Sequence, residues 1–459
     1  MDMQKGLTLM TPMRTAVAAL LTLIIGGLAF SVAAYAQDPA VAAAVSTELP
    51  ADGKYIINTL LFLVTGFLVM WMAAGFAMLE AGLVRTKNVA MQCTKNIALY
   101  SISGLMFWAV GYNVMYPGEA WIVMDYIGNF APKDIPPVDA DPGNYAAASD
   151  WFFQMVFCAT ACSIVSGTLA ERIKLWPFLF FCVVLTGVIY PIEGSWDWGT
   201  GWLDDMGFAD FAGSTIVHST GGWAALSGAI ILGARIGKYG PNGETRAIPG
   251  SSMSLATLGT FILWLGWFGF NGGSQLAMGT LSDASSVSRI FVNTNIAACA
   301  GVVVAMVLTQ VFYGKVDITM ALNGALGGLV AITAEPLAPS VPIAIMVGGI
   351  GGAIVVFAVP LIDKMRIDDV VGAIPVHLLC GIWGTMAVPI SNAGASFSVQ
   401  AIGVVAIGIF VFLASTIVWL VLAAILGLRP TAEEEMAGLD QIEIGIEAYP
   451  EFGRGSQIA

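Results

Sequence analysis

The sequence predicts an all-α polytopic membrane protein: eleven transmembrane helices after a cleaved signal peptide, arranged as two inverted five-helix halves plus a final helix. Three observations carry that expectation. The 459 residues are 57% hydrophobic and 11% charged, whereas a soluble domain carries about 25% charged residues. Past the first 36 positions, eleven apolar runs are long enough to cross a bilayer. One short pattern also occurs twice, as Asp210-x-x-Gly213-x-x-x-Val217-His218 and Asp369-x-x-Gly372-x-x-x-Val376-His377. The copies lie 159 positions apart and contain the only two histidines of the chain.

Residues 1–36 read as a secretory signal. Lys5 and Arg14 supply the basic region, Ala16 to Val32 the apolar core, and Ala34-Tyr35-Ala36 a small-x-small cleavage site before Gln37. The membrane domain follows over 37–428. A spanning helix needs about 20 apolar residues. Such runs fall near 56–80, 90–115, 149–170, 174–192, 211–234, 252–276, 286–313, 318–335, 342–362, 371–390 and 399–427. The 117–148 connection contains Pro117, Gly118, Pro132, Pro136, Pro137, Pro142 and Gly143, so it is loop rather than span.

Alternate connections differ in basic charge. One set carries Arg85 and Lys87, then Arg172 and Lys174, then Arg235, Lys238 and Arg246, then Lys315, then Lys364 and Arg366. The other carries Lys133 alone before Arg289, which opens the seventh run. Basic residues mark the cytoplasmic side, so the N-terminus is expected outside and the tail, 429–459, inside. His218 falls in the fifth run and His377 in the tenth. Two halves of five spans must face opposite ways, the plan of many transporters, with the substrate path between the halves.

The net charge of −13 argues against nucleic-acid binding. All six cysteines lie inside apolar runs without a C-x-x-C pair, so packing is their expected role and no cofactor is implied. The histidines are the first candidates for function, because an imidazole in lipid is costly unless it faces protein or a pore. Paired, they would share a proton and offer ring edges to a small polar solute. They would also suit haem or a metal in a bis-histidine redox protein, although no further ligand cluster accompanies them. Phe153 and Phe157 sit four apart on one helical face, a spacing that packing alone also explains. Gly266-Trp-Phe-Gly-Phe-Asn-Gly-Gly-Ser274 is a glycine-dense stretch closing the sixth run on a hydroxyl. Trp196, Trp198 and Trp202 precede the fifth run, where interfacial tryptophan is common. Asp210 precedes a helix start and is placed to cap it.

Several of these motifs together resemble the ammonium transporter family, which is related to the Rh proteins. They are Asp210-Phe-Ala-Gly213 with Val217-His218; Gly266-Trp-Phe-Gly-Phe-Asn271 with Ser274; Ala170-Glu-Arg-Ile173; Phe291-Val-Asn-Thr294; and Val376-His377 with Cys380-Gly381. The resemblance runs over nearly all of the chain past the signal. It implies a multi-pass protein of the inner membrane that is not an enzyme. Ammonium would be recruited outside by Trp198, Phe157 and Ser274, with Phe153 nearby. Phe157 and Phe270 would form a stacked gate, and His218 and His377 a deep pore that conducts ammonia. Asp210 would serve structure and electrostatics. The resemblance also implies a homotrimer and a PII-type signalling protein at the cytoplasmic face, with 429–459 as a regulatory tail. Pro375 and Leu378 depart from the family pattern around the second histidine, which implies a differently shaped inner exit. Two readings besides transport follow from the same resemblance, an ammonium sensor and an Rh-type neutral gas channel.

Overall fold

The computed structural model describes residues 49–136 and 143–452; the expected signal peptide lies outside the described residues. Each of the eleven apolar runs forms a helix. In chain order they are α1 (Ala51–Leu83), α2 (Thr86–Met115), α3 (Ala147–Thr168), α4 (Leu175–Ser195), α5 (Ser214–Leu232), α6 (Met253–Gly273), α7 (Leu281–Tyr313), α8 (Ile318–Thr333), α9 (Val341–Lys364), α10 (Ile374–Ser391) and α11 (Phe397–Leu426). Ten of these are long and apolar enough to cross a membrane. The other, α8, has 16 residues. At 1.5 Å per residue it reaches about 24 Å, short of a ~30 Å hydrocarbon core. It packs between α7 and α9, and every residue from Asn323 to Thr333 is buried.

The all-α expectation needs one correction. The 117–148 connection holds a small antiparallel hairpin, Trp121–Val123 paired with Ile127–Gly128. Its turn places Asp125 at φ 63°, a left-handed conformation that Asp tolerates better than most residues.

The duplicated pattern has a local physical meaning. Gly213 (φ 98°) and Gly372 (φ 81°) both adopt positive φ, where a side chain would be strained. Each glycine lets the chain turn into a helix whose first amides point back at the preceding aspartate. Asp210 accepts from the N–H groups of Gly213, Ser214, Thr215 and Ile216 at 2.7–3.1 Å. Asp369 accepts from Gly372 and Ile374 at 3.2 and 2.7 Å and from the Thr168 hydroxyl at 3.0 Å. Both helices then open with a wide π-type turn, Ser214–Ser219 and Ile374–Leu379, which carries the histidine. Such turns are rare and concentrate at functional sites. Pro375 sits in the first turn, where its missing N–H costs nothing.

Helices α5 and α10 run antiparallel. Thr215 meets Thr385 at 2.6 Å between hydroxyl oxygens, while Ser219 donates to the Leu378 carbonyl. Partner numbers therefore fall on one helix as they rise on the other. The crossing is tight because Gly222 and Gly381, each four residues past its histidine, face the opposing helix. A Cβ on Gly381 would stand 2.4 Å from the Ser214 carbonyl oxygen. Gly381→Ala is therefore expected to destabilise the fold by about 1–3 kcal/mol or more. A lowered melting temperature of the purified protein would check this.

The end of the molecule rich in Arg and Lys is bound together by carboxylates. Within the Ala170-Glu-Arg-Ile173 motif, Glu171 binds Arg85 at 2.7 Å and Arg235 at 3.4 Å. Arg172 donates to the carbonyls of Thr168, Gly233 and Asp368. Lys238 likewise pairs with Asp363 at 2.9 Å.

The tail packs on this same end. A short helix, α12 (Ala432–Ala437), opens with a capping box between Thr431 and Glu434. Glu435 pairs with Arg429 at 2.7 Å. Asp440 accepts the amides of Ala90 and Met91, where the α-helical part of α2 begins after its first tight turn (Thr86–Asn88), and Glu443 accepts that of Leu175 at the start of α4. Carboxylates placed on helix N-termini are stabilising, so the acidic tail is held by the helices it touches.

Candidate functional site: an aromatic vestibule above two histidines

At the end opposite the tail, a cavity of about 340 Å³ is lined by Tyr112, Asp150, Phe153, Phe157, Trp198 and Ser274, among others. Trp198 is held in place because its indole N–H donates to the Asp210 carbonyl at 3.0 Å. Asp210 thus builds two things at once, the α5 start through its carboxylate and the Trp198 position through its backbone. The Ser274 hydroxyl donates to the Phe270 carbonyl at 2.8 Å. With its proton committed there, its lone pairs remain to accept from a donor in the cavity.

Below the cavity the lumen is closed by rings. Phe153 and Phe157 have centroids 4.7 Å apart, and Trp198 meets Phe157 edge-on at 6.2 Å. Phe157 stacks on Phe270 with centroids 3.9 Å apart and planes 26° apart. Both rings are fully buried, at 1% and 0% exposure. Phe270 in turn stands 5.1 Å from the His218 ring, and His218 stands 5.2 Å from His377. Trp267 backs His218 at 4.9 Å and donates its own N–H to Thr333.

The imidazoles face each other through Nδ1, 3.2 Å apart. One Nδ1 must carry the proton and the other accept it, so the two neutral rings are opposite tautomers. Of the two outer nitrogens, one is therefore a donor and the other an acceptor. His218 Nε2 is buried without a partner. Among the described residues, no group of three or more His, Cys, Asp or Glu could hold a metal. The two imidazoles thus form a buried, hydrogen-bonded pair.

Of the site residues expected from sequence, Phe153, Phe157, Trp198 and Ser274 line the cavity, Phe270, His218 and His377 continue below it, and Asp210 supports Trp198 and the start of α5 from behind. Several lining residues were not anticipated, among them Asp150, Tyr112 and Gln154. The Tyr112 hydroxyl donates to Asp150, as does Gln154 at 3.3 Å. A signal existed, since positions 150, 153, 154 and 157 share one helical face.

Comparison with known proteins establishes the family. The family model described as Ammonium Transporter Family matches residues 60–449. The chain belongs to the ammonium transporter family. Among its relatives, Ammonium transporter Amt2 of Archaeoglobus fulgidus is 40% identical over 436 residues, covering 88% of this chain and 89% of its own. A putative ammonium transporter of Synechocystis is 39% identical over 399 residues, covering 86% and 90%. Among solved structures, a protein described as Sensor Amt Protein superposes with a TM-score of 0.80 at 35% identity, covering 86% of this chain and 100% of its own. Candida albicans Mep2 superposes at 0.74 with 25% identity, covering 87% and 92%. This family member therefore shares its whole membrane domain with proteins named as ammonium transporters.

Proposed function

We propose that this protein takes up ammonium through a pore that conducts ammonia and moves the proton separately. The eleven helices would span the membrane as two inverted five-helix halves and a final helix, the short α8 completing its crossing with the residues that flank it. The vestibule would open outside and the acidic tail would lie in the cytoplasm. The observation that carries the reading is the unbroken order Trp198, Phe157, Phe270, His218, His377 along one buried line.

Aromatic faces attract a small cation, worth ~0.5–2 kcal/mol or more as water is lost. Ser274 accepts a hydrogen bond that ammonium can donate and potassium cannot. Asp150, held by Tyr112 and Gln154, adds negative charge beside the rings. The stacked phenyls then set the barrier, because a permanent cation is expensive to move through an apolar constriction. Desolvation favours the neutral form of an amine, so ammonium sheds its proton before the gate and ammonia passes. The histidine dyad offers a donor and an acceptor in an otherwise apolar lumen. Asp210 stays structural in this scheme, since its carboxylate oxygens are committed to backbone amides.

Purified protein in liposomes should give a current, with internal pH change, on an ammonium gradient and none on an equal potassium gradient. Equal currents from the two ions would overturn the selectivity mechanism.

A further inference from the structure

One buried carboxylate has no part in the line of residues above. Glu80, near the tail end of α1, is 1% exposed. Three side chains donate to its Oε2: Gln92 at 2.5 Å, Ser166 at 2.8 Å and Asn96 at 3.1 Å. Its Oε1 is equally buried and takes no hydrogen bond. A carboxylate that served packing alone would divide three donors between its oxygens, because an unsatisfied buried acceptor is destabilising. Lys95 lies beside it but spends its ammonium on the Gln92 side-chain oxygen at 3.1 Å and the Ser166 carbonyl at 2.9 Å.

The position of Glu80 is as telling as its hydrogen bonds. It lines a small cavity of about 10 Å³ together with His377, Phe76, Leu79 and Ser163. That space suits about one water or one ammonia. Asn323 and Val371 belong to the walls of this cavity and also of a larger one, about 420 Å³, at the tail end. Glu80 therefore stands between the second histidine and the inner mouth. The titratable groups near it are Lys95 and Cys93 from α2 and His377 from α10.

We propose that Glu80 is the inner proton-exchange site of the pore. The inference rests on the transport reading and names where ammonium is re-formed. In its acid form Glu80 gives the Oε1 proton to ammonia that has passed His377. The O–H bond breaks and an N–H bond forms, leaving ammonium beside the Glu80 carboxylate. The cation leaves through the larger cavity. Glu80 then regains a proton from the histidine dyad through the one solute-sized space between them, and the dyad takes up in turn the proton that ammonium sheds on the vestibule side, so ammonia and proton recombine one for one.

Glu80→Gln tests this without changing shape, since the amide oxygen can still accept the three donors. It leaves Lys95 without its opposing charge, so a second variant, Glu80→Gln with Lys95→Met, keeps the buried cluster neutral. In proteoliposomes at matched protein amounts and melting temperatures, both should lose ammonium current about 100-fold or more, the scale of one general acid. Half-saturating ammonium should stay near that of the unaltered protein, because the vestibule is untouched. The dependence of the remaining current on internal pH should disappear, and Glu80→Asp should restore part of it. Folded variants that keep the full current and its pH dependence would overturn the inference alone. An unaltered protein that carries no ammonium current would overturn the transport reading and this inference with it.

Discussion

Replacing His218 and His377 together with leucine is expected to cut ammonium flux about 10- to 100-fold while leaving the protein folded. The folding half of that statement follows from the pairing. The two Nδ1 atoms hydrogen-bond each other at 3.2 Å, and removing both partners of a buried hydrogen bond can be nearly neutral. The flux half follows from what the solute loses. Between Phe270 on one side and Phe76 on the other, the rings supply the polar edges of the deep lumen. Ammonia crossing a leucine-lined segment forfeits one or two hydrogen bonds at about 1–1.5 kcal/mol each, and each 1.4 kcal/mol is tenfold in rate. Single replacements should behave differently: they leave one imidazole with an orphaned Nδ1, so they should lower the melting temperature more than the double change does. Liposome flux and melting curves of the three variants would check this. A double variant with unchanged flux and undiminished discrimination against potassium would remove the histidines from the mechanism.

What the sequence disclosed and what it hid divide along one physical line. The Asp-x-x-Gly-x-x-x-Val-His pattern was legible because its parts act locally: an aspartate caps amides three to six residues on, and a glycine supplies the positive φ between them. The histidine pair was legible from the duplicated pattern, but the aromatic line was legible only because the residues resembled a family; Phe157 and Phe270 lie on different helices, and nothing in their spacing brings them together. Asp150 and Glu80 went unread for a related reason. A lone acid in an apolar run declares its partners only after folding, and those partners are remote: Tyr112 is 38 positions from Asp150, and Ser166 is 86 from Glu80. The match of Gly222 with Gly381, four residues past each histidine, was readable in principle. In a chain with 53 glycines it did not stand out. The run expected at 318–335 ends as the helix does, within two residues, where the chain turns over Glu335.

The Asp210→Ala change should have the largest effect on the folded state, greater than Asp369→Ala at the equivalent place. Asp210 is 2% exposed, and its two oxygens satisfy four consecutive amides at the start of α5. Alanine leaves those donors buried, with no acceptor of comparable charge in reach. At about 1–3 kcal/mol for each unsatisfied group, the total rivals the ~5–15 kcal/mol by which a whole protein is stable. The Asp210→Ala protein should therefore be nearly absent from the membrane fraction. Asp210→Asn retains one acceptor oxygen and should accumulate in part, with a lowered melting temperature. Asp369 accepts only two amides and one hydroxyl, so its loss should be milder. The damage from Asp210 should also reach the vestibule, because the same residue's carbonyl anchors Trp198 at 3.0 Å. Partially folded Asp210→Asn protein should then show a raised half-saturating ammonium concentration, whereas the Asp369 variant should not. Quantitative immunoblots of membranes, melting curves and liposome currents together decide the point: an Asp210→Ala protein that accumulates and melts as the unaltered one does would show that the cap does not hold this end of α5.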